Sequence, residues 1–460
     1  MSKPFILQTI LAAAVCKTVR RALRLRGSGG TALPGKAAMT VCKDILAVTS
    51  RGMEIIVVTG TNGKTTTCRM LEHALTSSGR ECLSNKSGAN LLSGVTAEIT
   101  CNTDWLGRPK THYAVIECDE GALKQVVPLI RPKVIVVTNL FRDQLDRYGE
   151  VMHTLDAIRT GIAKVPESIL CLNADCSLTA SLADDVPNKV VFYGMNTPVG
   201  DQKDVEISDA KYCIRCGREY RYHYHTYAHL GSFYCPNCGY KRQDPSVAVN
   251  RILGITTEGS KIEMQLDGKI HPVRVGLPAV YNLYNAAAAI CAYRVFGLPE
   301  EEILGSIADV RSSFGRMENF TLGDVRIQMI LVKNPAGCNQ ALEYVSGIGS
   351  DYNVVLCLND RTADGHDISW IWDADFEKIT QDPHARSILV SGDRAEDMQL
   401  RLKYAGAEES RITLEKDNAR LLQIMKESTL PVFILPNYTS MLALRKVLSE
   451  ATGGEAFWKG

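Results

Sequence analysis

One stretch constrains the chain more than any other. An unbroken apolar run leads into a glycine-rich turn and then a helical pattern: Glu54-Ile55-Ile56-Val57-Val58-Thr59-Gly60-Thr61-Asn62-Gly63-Lys64-Thr65-Thr66. A short apolar run without alternation fits a strand covered on both faces, as in a parallel sheet. Parallel strands need crossover connections, so an α/β layer fold follows. Tyr113-Ala114-Val115-Ile116-Glu117 and Val134-Ile135-Val136-Val137-Thr138-Asn139 repeat the strand pattern, and Thr66 to Ser78 reads as helix.

The turn also dictates chemistry. Glycines let backbone N–H groups converge on anionic oxygens, and the helix N-terminus adds partial positive charge. Lys64 can reach the β- and γ-phosphates, and the Thr65 hydroxyl can bind Mg²⁺. Gly60, Thr61, Asn62, Gly63, Lys64, Thr65 and Thr66 are therefore the candidate ATP phosphate site. The strict P-loop template asks for glycine where this chain has Val58, so it is met in part. The plain alternative is a glycine-rich turn with an incidental lysine. A strand before, a helix after and three consecutive threonines weigh against it. Glu117 ends the second strand, where a Mg²⁺ ligand belongs beside such a turn. Asp119 and Glu120 read equally well as capping or surface acids.

Residues 211–241 change character abruptly. Cys213-Ile-Arg-Cys216 and Cys235-Pro-Asn-Cys238 form two CxxC knuckles separated by 18 residues. Two knuckles supply a closed tetrahedral shell of four thiolates, which suits structural Zn²⁺. A redox pair would not require a second copy. Tyr220, Tyr222, His223, Tyr224, His225 and Tyr227 lie between the knuckles. They either fill a small core around the metal or stack on bases; the first is the commoner use.

Ile262 to Val275 alternates like a hairpin turning at Asp267-Gly268, and Tyr284 to Phe296 reads as an alanine-rich helix. Near residue 320 the α/β pattern restarts, with buried-strand candidates at 353–359, 387–391 and 431–436. The expected organisation is an N-terminal helix and linker (1–50), a P-loop ATPase domain with a parallel central sheet and an inserted four-cysteine zinc ribbon (51–320), and a second, Rossmann-like α/β domain (321–460). Phe5 to Val15 followed by Lys17, Arg20, Arg21, Arg24 and Arg26 reverses the order of a signal peptide. It reads as an amphipathic helix packed on the protein, with a membrane-surface role as the alternative. Residues 26–40 read as a flexible Gly/Ser/Pro loop. No run is long enough to span a bilayer. The 15 cysteines, odd in number, argue for a reducing cytoplasm, and a net charge of +1 gives no general field for nucleic acid.

Gly60 to Thr66 resembles the ATP motif of the Mur ligases and folylpolyglutamate synthases. Thr138-Asn139-Leu140-Phe141-Arg142-Asp143-Gln144-Leu145-Asp146, Tyr281-Asn282-Leu283-Tyr284-Asn285-Ala286-Ala287 and Phe314-Gly315-Arg316-Met317-Glu318 resemble three further family stretches, in the family's order. The resemblance implies Asn285 near the adenine and Arg316 near the nucleotide. Gln144 stands where the family has histidine, and Ile330 where amino-acid-adding ligases carry aspartate. No lysine matches the carbamylated one of those enzymes.

The inserted ribbon, Lys333-Asn334-Pro335-Ala336-Gly337, and the acidic run from Asn359 to Asp373 together resemble one branch, the Mur-ligase-like subunits of lipid II isoglutaminyl synthases. That implies ATP-dependent amidation of the α-carboxylate of D-glutamate in lipid II, at the inner membrane face. It also implies a separate glutamine amidotransferase subunit as partner. Independently, none of the cysteines is followed two residues later by glycine. The Gly-x-Cys-x-Gly elbow of a class I glutaminase is absent, so ammonia must come from elsewhere. Lys64 and Lys333 are the expected charge stabilisers, and Asp367 the expected third member of the partner's Cys-His-Asp arrangement. Asp360, Asp364 and Asp373 are its rivals. An amino-acid-adding ligase and a nucleic-acid-binding ATPase are the competing functions.

Overall fold

The apolar runs become parallel strands because each is sealed on both faces. In the computed structural model, which describes residues 6–26, 30–85, 89–142, 151–200, 209–311 and 316–453, β1 (Glu54–Thr59) has five fully buried residues in succession. It lies between β3 (Tyr113–Glu117) and β4 (Val134–Val137), parallel to both. β2 (Cys82–Ser84) extends the sheet beyond β3. β5 (Ile169–Asn173), β6 (Val190–Met195) and β9 (Val247–Thr256) extend it beyond β4, all parallel. β10 (Gly259–Leu266) and β11 (Lys269–Val275) close that edge as the expected antiparallel hairpin. The order is β11-β10-β9-β6-β5-β4-β1-β3-β2.

Helices α1 (Ile6–Leu25), α2 (Leu33–Val41), α3 (Ile45–Thr49), α4 (Lys64–Ser77), α5 (Leu92–Cys101) and α6 (Glu120–Ile130) belong to the same unit, which takes in residues 1–141 and 150–310. The helix Val280–Phe296, buried almost all round, crosses the sheet. The expected loop at 26–40 is corrected: 33–41 is α2. Pro34 sits in its first turn, where a missing N–H costs nothing. Gly35 is there for contact, since a Cβ would lie 1.9 Å from the Ser93 carbonyl oxygen of α5. β7 (Arg221–Tyr227) and β8 (Leu230–Tyr234) form the separate antiparallel hairpin of the ribbon.

The second unit, residues 142–149 and 311–460, carries its own sheet. β12 (Arg316–Leu322) pairs antiparallel with β13 (Val325–Ile330). Beyond β13 come β17 (Val432–Pro436), β14 (Tyr352–Cys357), β15 (Ala385–Ser391) and β16 (Ile412–Leu414), all parallel. Val355, Leu389 and Ile434 pack there with Leu421, Met441 and Leu444 of the covering helices. No described helix is long and apolar enough to cross a membrane.

Candidate active site

The turn Gly60–Gly63 is held from two sides. Thr61 N donates to the Asn139 carbonyl (2.8 Å), and Asn62 N donates to Asn139 Oδ1 (2.9 Å) while Asn139 Nδ2 returns a bond to the Asn62 carbonyl. Phe141 N donates to Thr61 Oγ1 at 3.0 Å. Gly60 (φ 115°) passes so close to Thr138 and Asn139 that a Cβ would sit 2.4 Å from Thr138 Oγ1. Gly63 (φ 86°) lies against the helix Val280–Phe296, where a Cβ would sit 2.0 Å from Asn285 Oδ1. Asn285 is oriented in turn by Asn282. Asn285 thus meets the chain at the phosphate turn itself.

Lys64 opens α4 and is buried. Its Nζ donates to the Gly60 carbonyl (2.5 Å) and to Glu120 Oε1 (2.9 Å). Burial pushes the Glu120 carboxyl upward, and Lys64 draws it back in part. Glu120 is therefore the counter-charge of Lys64, and Asp119 caps α6 by accepting from Gly121 N and Ala122 N. Glu117 faces the turn: Thr65 Oγ1 donates to its Oε2 at 2.5 Å and Asn90 Nδ2 to its Oε1 at 3.2 Å. Asn85 fixes its backbone through Glu117 N and O, both at 2.8 Å. A half-buried hydroxyl and a buried carboxylate converging in this way form an oxygen donor set suited to a hard divalent cation. Thr66 follows in the first turn of α4.

The sulfur atoms of Cys213, Cys216, Cys235 and Cys238 all lie within 4.8 Å of one another, a cluster that can hold a metal ion. Each knuckle turns on a glycine in left-handed backbone, Gly217 (φ 72°) and Gly239 (φ 74°), whose N–H groups return to Cys213 and Cys235. Tyr220, Phe233 and Tyr240 pack in a core with Cys213 and Cys235, and the exposed His223 stacks on Tyr234. The hairpin also reaches the phosphate turn. Tyr227 stacks on Phe141 (5.8 Å between ring centres) and His229 lies 4.6 Å from it. Below, the fully buried Asp175 accepts from Arg242 Nε and Tyr284 Oη, both at 2.5 Å, and Tyr284 bonds Thr226. Tyr284 is the neighbour of Asn285.

In the second unit, Arg316 opens β12, beside the left-handed Met317 (φ 59°). Lys333 precedes Asn334, whose side chain caps the helix Pro335–Ser346 by accepting from Gly337 N at 2.8 Å. Four aspartates follow β14, and their partners differ. Asp364 is buried on Thr439, accepting from its N and Oγ1. Asp360 pairs with Arg394 and Asp373 with Arg142. Asp367 accepts from Ser369 N at 2.8 Å. Hydrogen bonds from Ser369 hold its carboxyl below the usual range.

Two family models match: the Mur ligase middle domain over residues 58–238 and the MurT ligase C-terminal domain over residues 331–441. The subunit MurT of the glutamine-hydrolysing lipid II isoglutaminyl synthase from Streptococcus pneumoniae is 35% identical, covering 92% of this chain and 93% of that protein. The MurT subunit from Staphylococcus aureus is 34% identical over 96% of this chain and 98% of its own length. The chain belongs to the Mur ligase family, in its MurT branch. Among solved structures, MurF from Acinetobacter baumannii superposes with a TM-score of 0.67 over 90% of the chain, at 16% identity. A pseudomurein peptide ligase from Methanothermus fervidus gives 0.64 over 88%, at 21%. Both show the fold.

Mur ligase membership accounts for the turn and for the four ordered motifs. Asp143 to Asp146 of the second motif, with Gln144, and Phe314-Gly315 of the fourth lie outside the described residues. The Asn139 clamp, the Asn85 and Asn90 grip on Glu117 and the Lys64–Glu120 pair were not assigned from sequence. Asn139 belongs to the family-like stretch that begins at Thr138, and that stretch is its signal in the sequence.

The ribbon's contacts with Phe141 and Tyr284 give a testable consequence. If the four cysteines hold a metal ion, a chelator would free two knuckles whose folding that ion would sustain. The melting temperature should fall by about 10 °C or more. Calorimetric affinity for MgATP should fall with it, because the hairpin that packs on Phe141 loosens. A chelated protein with unchanged melting would show that the cysteines hold no structural ion.

Proposed function

We propose that this Mur ligase is the synthetase half of a glutamine-dependent complex that amidates the α-carboxylate of D-glutamate in the lipid II stem peptide. The observation that carries the reading is the 34–35% identity to MurT subunits over almost the whole of both chains. The chemistry follows from a poor electrophile. The substrate carboxylate takes the γ-phosphoryl group of ATP, releasing ADP, and becomes an acyl phosphate. Ammonia attacks the acyl carbon, phosphate leaves, and the nitrogen sheds a proton to give the amide.

The chain's residues divide that work. The backbone amides of Gly60 to Gly63 receive phosphate oxygens, and Lys64 adds a cation beside them. Thr65 and Glu117 are the residues that would hold Mg²⁺, which neutralises charge on the transferring phosphoryl group. Asn285 fixes the turn against the nucleotide. The family resemblance assigns further positive charge to Arg316 and Lys333. Zn²⁺ on the four cysteines is structural. The Gly-x-Cys-x-Gly elbow is absent from the sequence, so a glutamine amidotransferase subunit supplies the ammonia. Ile330, buried at the end of β13, offers no carboxylate where amino-acid-adding enzymes carry aspartate.

The test is ADP release by the purified chain with lipid II and ammonium chloride, with mass spectrometry of the lipid. Exchange of one carboxylate for an amide is expected. Product only with a free amino acid would replace this reading by the amino-acid-adding one. ATP hydrolysis stimulated by DNA or RNA alone would overturn both.

A further inference from the structure

α1 packs inward through Thr9, Ala12, Ala13 and Cys16. Its other side, with α5 and the loop 102–110, borders an open cavity of about 660 Å³. Lys17, Arg20, Arg21, Arg24 and Lys110 line it, against Glu98 and Asp104. The two carboxylates are largely committed. Glu98 pairs with Arg20 at 2.8 Å, and Asp104 Oδ1 accepts from the amides of Leu106 and Arg108. Lys17 Nζ donates to the carbonyl oxygens of Thr103 and Asp104. Among the described residues no ion pair engages Arg21, Arg24 or Lys110. Cys101 also lines the cavity; the Cys16 hydrogen bond and Arg20 hold its thiol down to about 6. Even with that thiolate counted, cations outnumber anions. Burial and the charge of Lys110 hold Lys17 below the usual lysine range, as crowded cations do.

The loop and helix that flank this basic cavity also carry bare apolar side chains. Trp105 is 66% exposed, and Leu106 and the α1 residues Ile6, Leu7 and Leu11 are all more than half exposed. Loop and helix are locked together: Lys17 Nζ lies 5.2 Å from the Trp105 ring centre, and a Cβ on Gly107 would meet Thr9 Cγ2 at 2.7 Å. Exposed tryptophan and leucine beside clustered Lys and Arg is the arrangement of an interfacial surface, rings at headgroup level and cations on phosphates.

We propose that this cavity binds the diphosphate group of a polyprenyl-linked lipid, with Trp105, Leu106 and the start of α1 entering the headgroup layer. The inference rests on reading the substrate as lipid-linked. Concavity separates it from general attraction to an anionic membrane: Lys110 on the loop and Arg21 and Arg24 on α1 can close on one compact dianion. A chain of net charge +1 has little long-range pull. α5 joins the cavity to the reaction site. Asn90, two residues before it, holds Glu117, and Glu98 and Cys101 at its far end line the cavity. Its ten residues span about 15 Å. A substrate whose anchor and reacting carboxylate are separated by sugar and peptide can bridge such a distance.

The test is cosedimentation of the full chain with phosphatidylcholine vesicles carrying undecaprenyl diphosphate. Vesicles carrying phosphatidylglycerol at equal charge and plain phosphatidylcholine vesicles are the comparisons. Binding to the diphosphate vesicles should be tighter by about tenfold or more, with a blue shift of tryptophan emission that Trp105→Phe reduces. Arg21→Glu with Arg24→Glu, and separately Lys110→Glu, should each weaken it by about tenfold while the circular dichroism melt stays in place. Equal binding to the two anionic vesicles would overturn the proposal in favour of a general electrostatic surface. So would unchanged binding by the charge-reversed variants, or equally tight capture of an oligonucleotide. The assay needs no catalysis, so lipid capture without amidation would count against the reaction and not against this site.

Discussion

Lys64→Ala should lower product formation by about a thousandfold, equally with ammonium chloride and with glutamine as nitrogen source. The lysine is the only cation that the phosphate turn itself carries. Its ammonium is already placed at the turn, 2.5 Å from the Gly60 carbonyl oxygen, and is held there by Glu120. Removing it leaves charge on the transferring phosphoryl group without its preorganised partner. It also leaves Glu120 buried without a counter-charge, so the variant's melt must be followed beside its rate. Gly63→Ala supplies the control that spares this ion pair. A Cβ there collides with Asn285 Oδ1, and φ of 86° strains any other residue by about 1–3 kcal/mol. Calorimetry should show MgATP binding lost or much weakened in Gly63→Ala, with the Lys64–Glu120 pair intact. A Lys64→Ala protein that melts normally and turns over at the parent rate would remove the turn from the chemistry altogether.

How far these sites were legible depends on whether the physics is local. The phosphate turn is a local event: strand, two glycines, lysine and helix stand within thirteen residues. The knuckles are local too, since each pair of thiolates is brought round by a glycine directly after it. The clamp on the turn is not. Asn139 reaches Asn62 only because β4 runs beside β1, and nothing in either segment alone announces the pairing. β6 hides for a related reason. Gly194 interrupts its apolar run because the Asp175 carboxylate approaches within 2.6 Å of where a Cβ would stand. α2 hides because Pro34 and Gly35, which read as loop, serve a helix start and a helix–helix contact. Asp119 and Glu120 looked alike as neighbours, and only their partners, two backbone amides for one and Lys64 for the other, tell them apart.

The same sorting by partner applies to the aspartates after β14, and it leads to the sharpest separation of activities. Asp367→Asn should lower glutamine-driven amidation by about a thousandfold or more and leave ammonium-driven amidation within about twofold of the parent. Asp364 is occupied with the start of the helix Tyr438–Thr452, and Asp360 and Asp373 each face an arginine. Asp367 accepts from Ser369, which keeps it ionised and fixes its direction. An ionised, oriented, half-exposed carboxylate is what a histidine on another subunit needs to hold its tautomer and to stabilise the imidazolium that forms. Asparagine retains the oxygen that accepts from Ser369 N, so the loop keeps its shape while the charge goes. The two nitrogen sources then separate the possibilities. Loss of both activities together would place Asp367 in this chain's own acyl transfer, and loss of neither would hand the role to a rival. Asp360→Asn or Asp373→Asn would then be the variant to show the glutamine-specific defect, whereas Asp364→Asn should act through stability, by loosening Thr439.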